Sequence, residues 1–128
     1  MNTPYKPETY NSLSPYLLVN GAADTIDFLK RVFAAEELRR IADDDGRLRH
    51  AEVRIDDTVL MLADRSEHWA AEPAHVHVYV PDVDATYRRA LEAGATAVQE
   101  PAKKDDPDRR GGFQDAGGTI WWIATKVE

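Results

Sequence analysis

The feature that most constrains this chain is an internal repeat. Val80, Thr86, Ala90, Thr119, Ile123 and Ala124 fall on Val19, Thr25, Leu29, Thr58, Leu62 and Ala63 when the sequence is slid by 61 positions without a gap. The most regular segment of the repeat is residues 75–80, where His75, His77 and Tyr79 alternate with Val76, Val78 and Val80. A period of two describes a strand with one apolar face and one chemically capable face. A duplicated unit holding such a strand requires two similar modules, each with one face for the core and a second, mixed face for other work.

Each module reads as β-α-β-β-β. In module one, residues 14–19 form a strand, and Asn20 stands where a helix cap is expected. Ala22, Ile26, Leu29 and Phe33 then follow at helical spacing. Residues 37–41 form a strand that ends at Asp43-Asp44-Asp45-Gly46, a turn signal. Residues 49–55 and 58–63 form a hairpin about Asp56-Asp57. In module two the strand at His75 leads to Asp82 as cap, a helix with Val83, Tyr87, Ala90 and Leu91 inward, and Gly94 as its stop. Residues 97–99, 111–114 and 119–125 supply the other strands, with a polar loop at 101–110. The fold class expected is α+β, two tandem βαβββ modules forming a cupped mixed sheet. The expected limits are an arm at 1–13, module one at 14–64, a linker at 65–73 carrying His68 and Trp69, and module two at 74–125, all in one domain over 14–128.

Hairpin register assigns the faces. A two-residue turn at Asp56-Asp57 pairs Ile55 with Thr58, Arg54 with Val59 and Glu52 with Met61. His50, Glu52 and Arg54 then share the mixed face, opposite Ala51, Val53 and Ile55. By the repeat, Phe113 and Trp122 take the matching mixed-face places, and Trp121 and Ile123 face the helix.

Bulk properties narrow the function. The chain has 128 residues, no cysteine and a formal net charge of −7. The charge argues against nucleic acid as a partner, and the missing cysteines remove disulfides, thiolate metal sites and thiol nucleophiles. No apolar run approaches the ~20 residues of a membrane span. The polar start, with Pro4 and Pro7, has none of the make-up of a signal peptide. A cytoplasmic protein with no membrane partner is expected.

Several segments together resemble the vicinal oxygen chelate superfamily (glyoxalase, bleomycin resistance protein and dioxygenase), in its PhnB-like branch. They are Ser14-Pro15-Tyr16-Leu17-Leu18-Val19, Ile26-Asp27-Phe28-Leu29, Val80-Pro81-Asp82-Val83-Asp84-Ala85-Thr86, Asp108-Arg109-Arg110-Gly111-Gly112 and the close from Asp115 to Thr125. The resemblance implies paired modules curling into a cup, commonly in a homodimer. Metal enzymes of that superfamily place two ligands in each module, and the matching positions here are Ser14, Met61, His75 and Trp122. Methionine and tryptophan are not ligands for Ni, Zn, Fe or Mn in such a site. No metal and no cofactor are therefore expected, and His75 is the position for a catalytic group if there is one.

The function expected is binding of a small organic molecule in an aromatic and polar cup. Its candidate contacts are Tyr16, His50, Glu52, Arg54, Met61, His75, His77, Tyr79, Phe113 and Trp122. The alternatives are a metal-dependent lyase, isomerase or dioxygenase with an unorthodox site at His75, and a degenerate dimerisation domain.

Overall fold

The computed structural model describes residues 5–128. Its elements are β1 (Tyr16–Val19), α1 (Ala22–Phe33), β2 (Glu36–Ala42), β3 (Leu48–Ile55) and β4 (Thr58–Asp64), then β5 (His75–Tyr79), α2 (Val83–Glu92), β6 (Thr96–Lys103), β7 (Asp108–Gln114) and β8 (Ile120–Lys126). They build two four-stranded mixed sheets, β1-β4-β3-β2 and β5-β8-β7-β6. In each, the first strand pairs in parallel with the last and the other pairings are antiparallel. The two modules of the repeat are thus two copies of one topology.

The sheets share one core. Leu17, Val19, Val53, Leu60 and Leu62 of the first sheet, and Phe113, Trp121 and Ile123 of the second, are buried in a single cluster with Ile26, Leu29 and Val32 of α1 and Val83 and Ala90 of α2. Burying side chains of this size contributes about 1.5–3 kcal/mol each, so this layer is the main source of stability. The modules meet through their helices, α1 lying against α2. Phe33 of α1 reaches across to Phe113 and Trp121, with ring centroids 6.2 and 5.2 Å apart. Each mixed face therefore lies on the far side of its own sheet from the common core. Among the described residues, no side-chain hydrogen bond joins one mixed face to the other. The two four-stranded mixed sheets, one from each module, are the expected tandem arrangement.

Local chemistry explains where the elements start and stop. Asp82 caps α2 as expected, its Oδ1 accepting from Ala85 N at 3.1 Å. Asn20 does not cap α1. The cap position is Gly21, at φ 77°, and the free N–H groups of Gly21 and Ala22 donate to Asp64 Oδ1 at 3.0 and 2.8 Å. Asp64 Oδ2 also accepts from Leu48 N at 2.8 Å. One carboxylate at the end of β4 thus ties helix to sheet. The polar loop expected over 101–110 is shorter: β6 continues through Pro101 to Lys103, and β7 starts at Asp108. A proline is tolerated there because β6 is an edge strand with its register broken between Gln99 and Ala102. Leu91, expected on the inner side of α2, is exposed. No helix among the described residues is long and apolar enough to cross a membrane.

Candidate functional site

The register of β3 on β4 matches the expected one: Ile55 pairs with Thr58, Arg54 with Val59 and Glu52 with Met61. Tyr16 pairs with Met61 from the other side. Tyr16, His50, Glu52, Arg54 and Met61 consequently share the mixed face of module one. In module two, β7 and β8 pair Gly112 with Trp122 and Phe113 with Trp121. Phe113 is therefore on the helix side, 0% exposed, and its ring centroid lies 6.0 Å from that of Phe28. Its expected place on the mixed face is corrected. The cause is turn length: five residues separate Gln114 from Ile120, against two between Ile55 and Thr58. Relative to the repeat, the pairing slips by one residue, and a one-residue slip exchanges the faces of a strand.

On the module-one face a line of hydrogen bonds runs through four side chains. Tyr10 Oη donates to Glu52 Oε1. His50 Nε2 lies 2.7 Å from Glu52 Oε2, and Tyr16 Oη lies 2.9 Å from His50 Nδ1. Glu52 is a carboxyl only 5% exposed. Burial pushes its pKa up, but the Tyr10 and His50 hydrogen bonds and the nearby His50 and Arg39 charges together pull it below the ordinary glutamate value. Glu52 and Arg54 do not pair with each other. Arg54 Nη2 donates to Thr9 Oγ1 at 2.7 Å, and its Nη1 lies 3.4 Å from Glu36 Oε2. Thr9, Tyr10 and Asn11, whose Oδ1 accepts from Val59 N, lay the N-terminal segment across the β3–β4 turn end of this face. Residues 1–4 of the expected arm fall outside the described residues.

The other end of the same face is open. A cavity of about 600 Å³ lies there, floored by Tyr16, Leu18, Leu48 and Ala63 and flanked by Trp69 from the linker. Its volume falls within the range of small-molecule sites. Trp69 is held by a tight turn: its N donates to Ser66 Oγ at 3.1 Å, and Ser66 N donates to Trp69 O at 2.7 Å. The linker runs beside β1, with Arg65 N bonded to Val19 O and Glu72 N to Leu18 O. Its indole is 67% exposed. At the rim, Arg47 lies 3.9 Å from Asp45, and Arg65 Nε donates to Asn20 Oδ1. Leu18, Leu48, Ala63 and Trp69 are wall residues absent from the expected set. The alternation of β1 and β4 places Leu18 and Ala63 on the mixed face; Leu48 lies beyond a register break in the β2–β3 pairing, where alternation no longer assigns faces, and only the linker's path could reveal Trp69.

The module-two face is built differently. The Trp122 indole lies over Gly112, where an added Cβ would come within 2.7 Å of the ring. Trp122 Nε1 donates to His75 Nδ1 at 3.0 Å, and the two rings are nearly parallel at 9°. Tyr79 Oη donates to Asp108 Oδ2 at 2.7 Å. Arg110 binds Asp106 and Asp108, both at 2.9 Å, and donates from Nε to His77 Nε2 at 3.1 Å. Burial, then the Arg110 charge, hold the His77 pKa below the usual imidazole value. His77 therefore serves as a neutral acceptor. His75, His77, Tyr79 and Trp122 all lie on this face as expected. No group of three or more His, Cys, Asp or Glu residues that could hold a metal ion occurs among the described residues.

The family model for the Glyoxalase/Bleomycin resistance protein/Dioxygenase superfamily matches residues 11–123. The chain belongs to this superfamily. Among its relatives, an uncharacterized protein of Mycobacterium bovis is 37% identical over 127 residues, covering 91% of this chain and 84% of that one. Among solved structures, TioX from Micromonospora sp. ML1 is similar with a TM-score of 0.76 and 25% identity, over 91% of this chain and 98% of that one. TnmS3, an antibiotic binding protein from Streptomyces sp. CB03234, has a TM-score of 0.69 and 21% identity, over 91% and 99%. This last likeness is one of fold.

Proposed function

We propose that this superfamily member is a binding protein for a small organic molecule, antibiotic-like or metabolite-like, and that the metal site of the wider superfamily has been lost in it. The observation that carries the reading is the cavity of about 600 Å³ on the module-one face, with apolar floor residues, the Tyr16 ring and an exposed indole at its side. Aromatic walls with a few directed polar groups are what bind flat organic ligands. That an antibiotic binding protein has the same fold supports the reading.

The donor set argues against an ion. At the four positions where related metal enzymes hold ligands, Met61 and Trp122 supply a thioether and an indole. Trp122 also occupies the Nδ1 lone pair of His75, which in the neutral ring leaves Nε2 protonated and without a lone pair to offer a metal. Each mixed face lies outside its module, so a second copy could cover it, and a cytoplasmic homodimer accompanies this reading. Sequestration of the ligand would require no chemistry.

The test is a thermal-shift and calorimetric screen with flat aromatic compounds, on protein purified without a histidine tag. A binder should raise the melting temperature by mass action and lose most of its affinity in Trp69→Ala. Stoichiometric Ni, Zn, Fe or Mn in that protein, abolished by His75→Ala, would replace this reading with the metal-dependent lyase, isomerase or dioxygenase. Sedimentation of the same sample measures the homodimer.

A further inference from the structure

We propose that the module-one cavity selects ligands that present a hydrogen-bond donor, an aromatic hydroxyl or N–H group, to Tyr16 Oη; this rests on the reading of that cavity as the binding site. Donor and acceptor roles along the hydrogen-bond line fix the direction of each bond. An ionised carboxylate can only accept, so Glu52 takes a proton from each neighbour: Tyr10 Oη–H on Oε1 and His50 Nε2–H on Oε2. In its neutral form, the one favoured above the ordinary imidazole range of about 6.5, a ring that donates from Nε2 has a bare Nδ1, so the hydrogen-bond line has this direction at pH 8, where the probes are compared. Tyr16 Oη, 2.9 Å away, must therefore spend its only proton on His50 Nδ1.

What remains on Tyr16 Oη is acceptor capacity, and no other hydrogen-bond partner for it exists among the described residues. Tyr16 is 49% exposed and forms part of the cavity floor. A tyrosine at a ligand site can ordinarily turn its hydroxyl to suit either a donor or an acceptor. Here the buried Glu52 removes that choice from two residues away, so the polarity of the site is set before a ligand arrives. A ligand carbonyl or ether placed against Tyr16 would meet lone pairs, whereas a hydroxyl would complete the line.

The opposite polarity holds in module two, by the same reasoning. Trp122 Nε1–H can only donate, so His75 Nδ1 accepts and its Nε2–H points outward as a donor. The acceptor preference is accordingly particular to the Tyr16 side of the molecule and not a general property of its imidazoles.

The experiment compares β-naphthol, its methyl ether and naphthalene, three probes of one ring system. Each is titrated into nitrogen-labelled protein while the indole N–H signal of Trp69, assigned through Trp69→Phe, is followed. The wild type should bind β-naphthol about tenfold more tightly than either other probe. Tyr16→Phe, at a half-exposed position that keeps the ring, should abolish that preference, so that β-naphthol binds no more tightly than naphthalene to the same variant. His50→Ala should free the Tyr16 proton and raise affinity for the methyl ether relative to naphthalene. Equal binding of all three probes by the wild type, or a preference that survives Tyr16→Phe, would overturn the inference and leave the cavity as the site. Failure of every probe to move the Trp69 signal would overturn both.

Discussion

The two mixed faces descend from one plan, yet they ended up with different contents. On module one, Glu52 stands opposite Met61, and a buried carboxylate organises Tyr10, His50 and Tyr16 beside an open cavity. On module two the residue opposite Trp122 is Gly112, and the indole lies flat in the space that a side chain would otherwise occupy. The difference traces to one residue of register, set by the length of a hairpin turn. In a duplicated fold, therefore, the topology repeats while the chemistry of each face depends on turn geometry.

The largest effect should come from testing the face exchange itself. Phe113→Ala removes a fully buried ring that touches Phe28 and Phe33, and should cost about 3–5 kcal/mol in urea unfolding. Trp122→Ala, on the opposite face, should cost roughly 1 kcal/mol. Comparable losses would contradict the assigned register. Next, Gly112→Ala forces a methyl group against the Trp122 ring and should destabilise by about 1–3 kcal/mol. It should also displace the indole, which the Trp122 N–H resonance would report. Smaller still, Tyr10→Phe removes a hydrogen bond to the buried Glu52, with an expected loss of about 1 kcal/mol. It should also speed amide exchange at Val59, whose N–H the adjoining Asn11 holds.

The smallest effect is one of pH. Because the folded state holds the Glu52 pKa below its ordinary value of 4.5, its stabilising contribution is complete above about that pH and is lost as the pH falls through the folded value. Glu52→Gln should therefore show a shallower loss of stability on acidification below pH 4.5 than the wild type. Parallel acid limbs would mean that folding leaves the Glu52 pKa unchanged.

Much of this was legible in the chain. Strict alternation and the 61-residue repeat are enough for the element order, and a two-residue turn leaves only one register for β3 on β4. The repeat predicts the wrong face for Phe113 because the two hairpin turns differ in length, and residue spacing contains no signal for such a slip. The cap of α1 is not readable from local sequence because Asp64 is 42 positions from the N–H it satisfies, whereas capping rules concern residues next to the helix. Tyr10 and Trp69 belong to segments without periodicity, so only the path of the folded chain brings them to the module-one face. The mixed-face residues were thus readable from pattern, and the cavity they help to wall was not.

A flat ligand should sit in the module-one cavity. Adding naphthalene to the labelled protein and mapping the shifted amide and indole signals tests this most directly. The expected result is a continuous patch at Leu18, Leu48, Ala63 and the Trp69 indole, with His75 and Trp122 unmoved. Shifts centred on His75 and Trp122, or none on the module-one face, would contradict it.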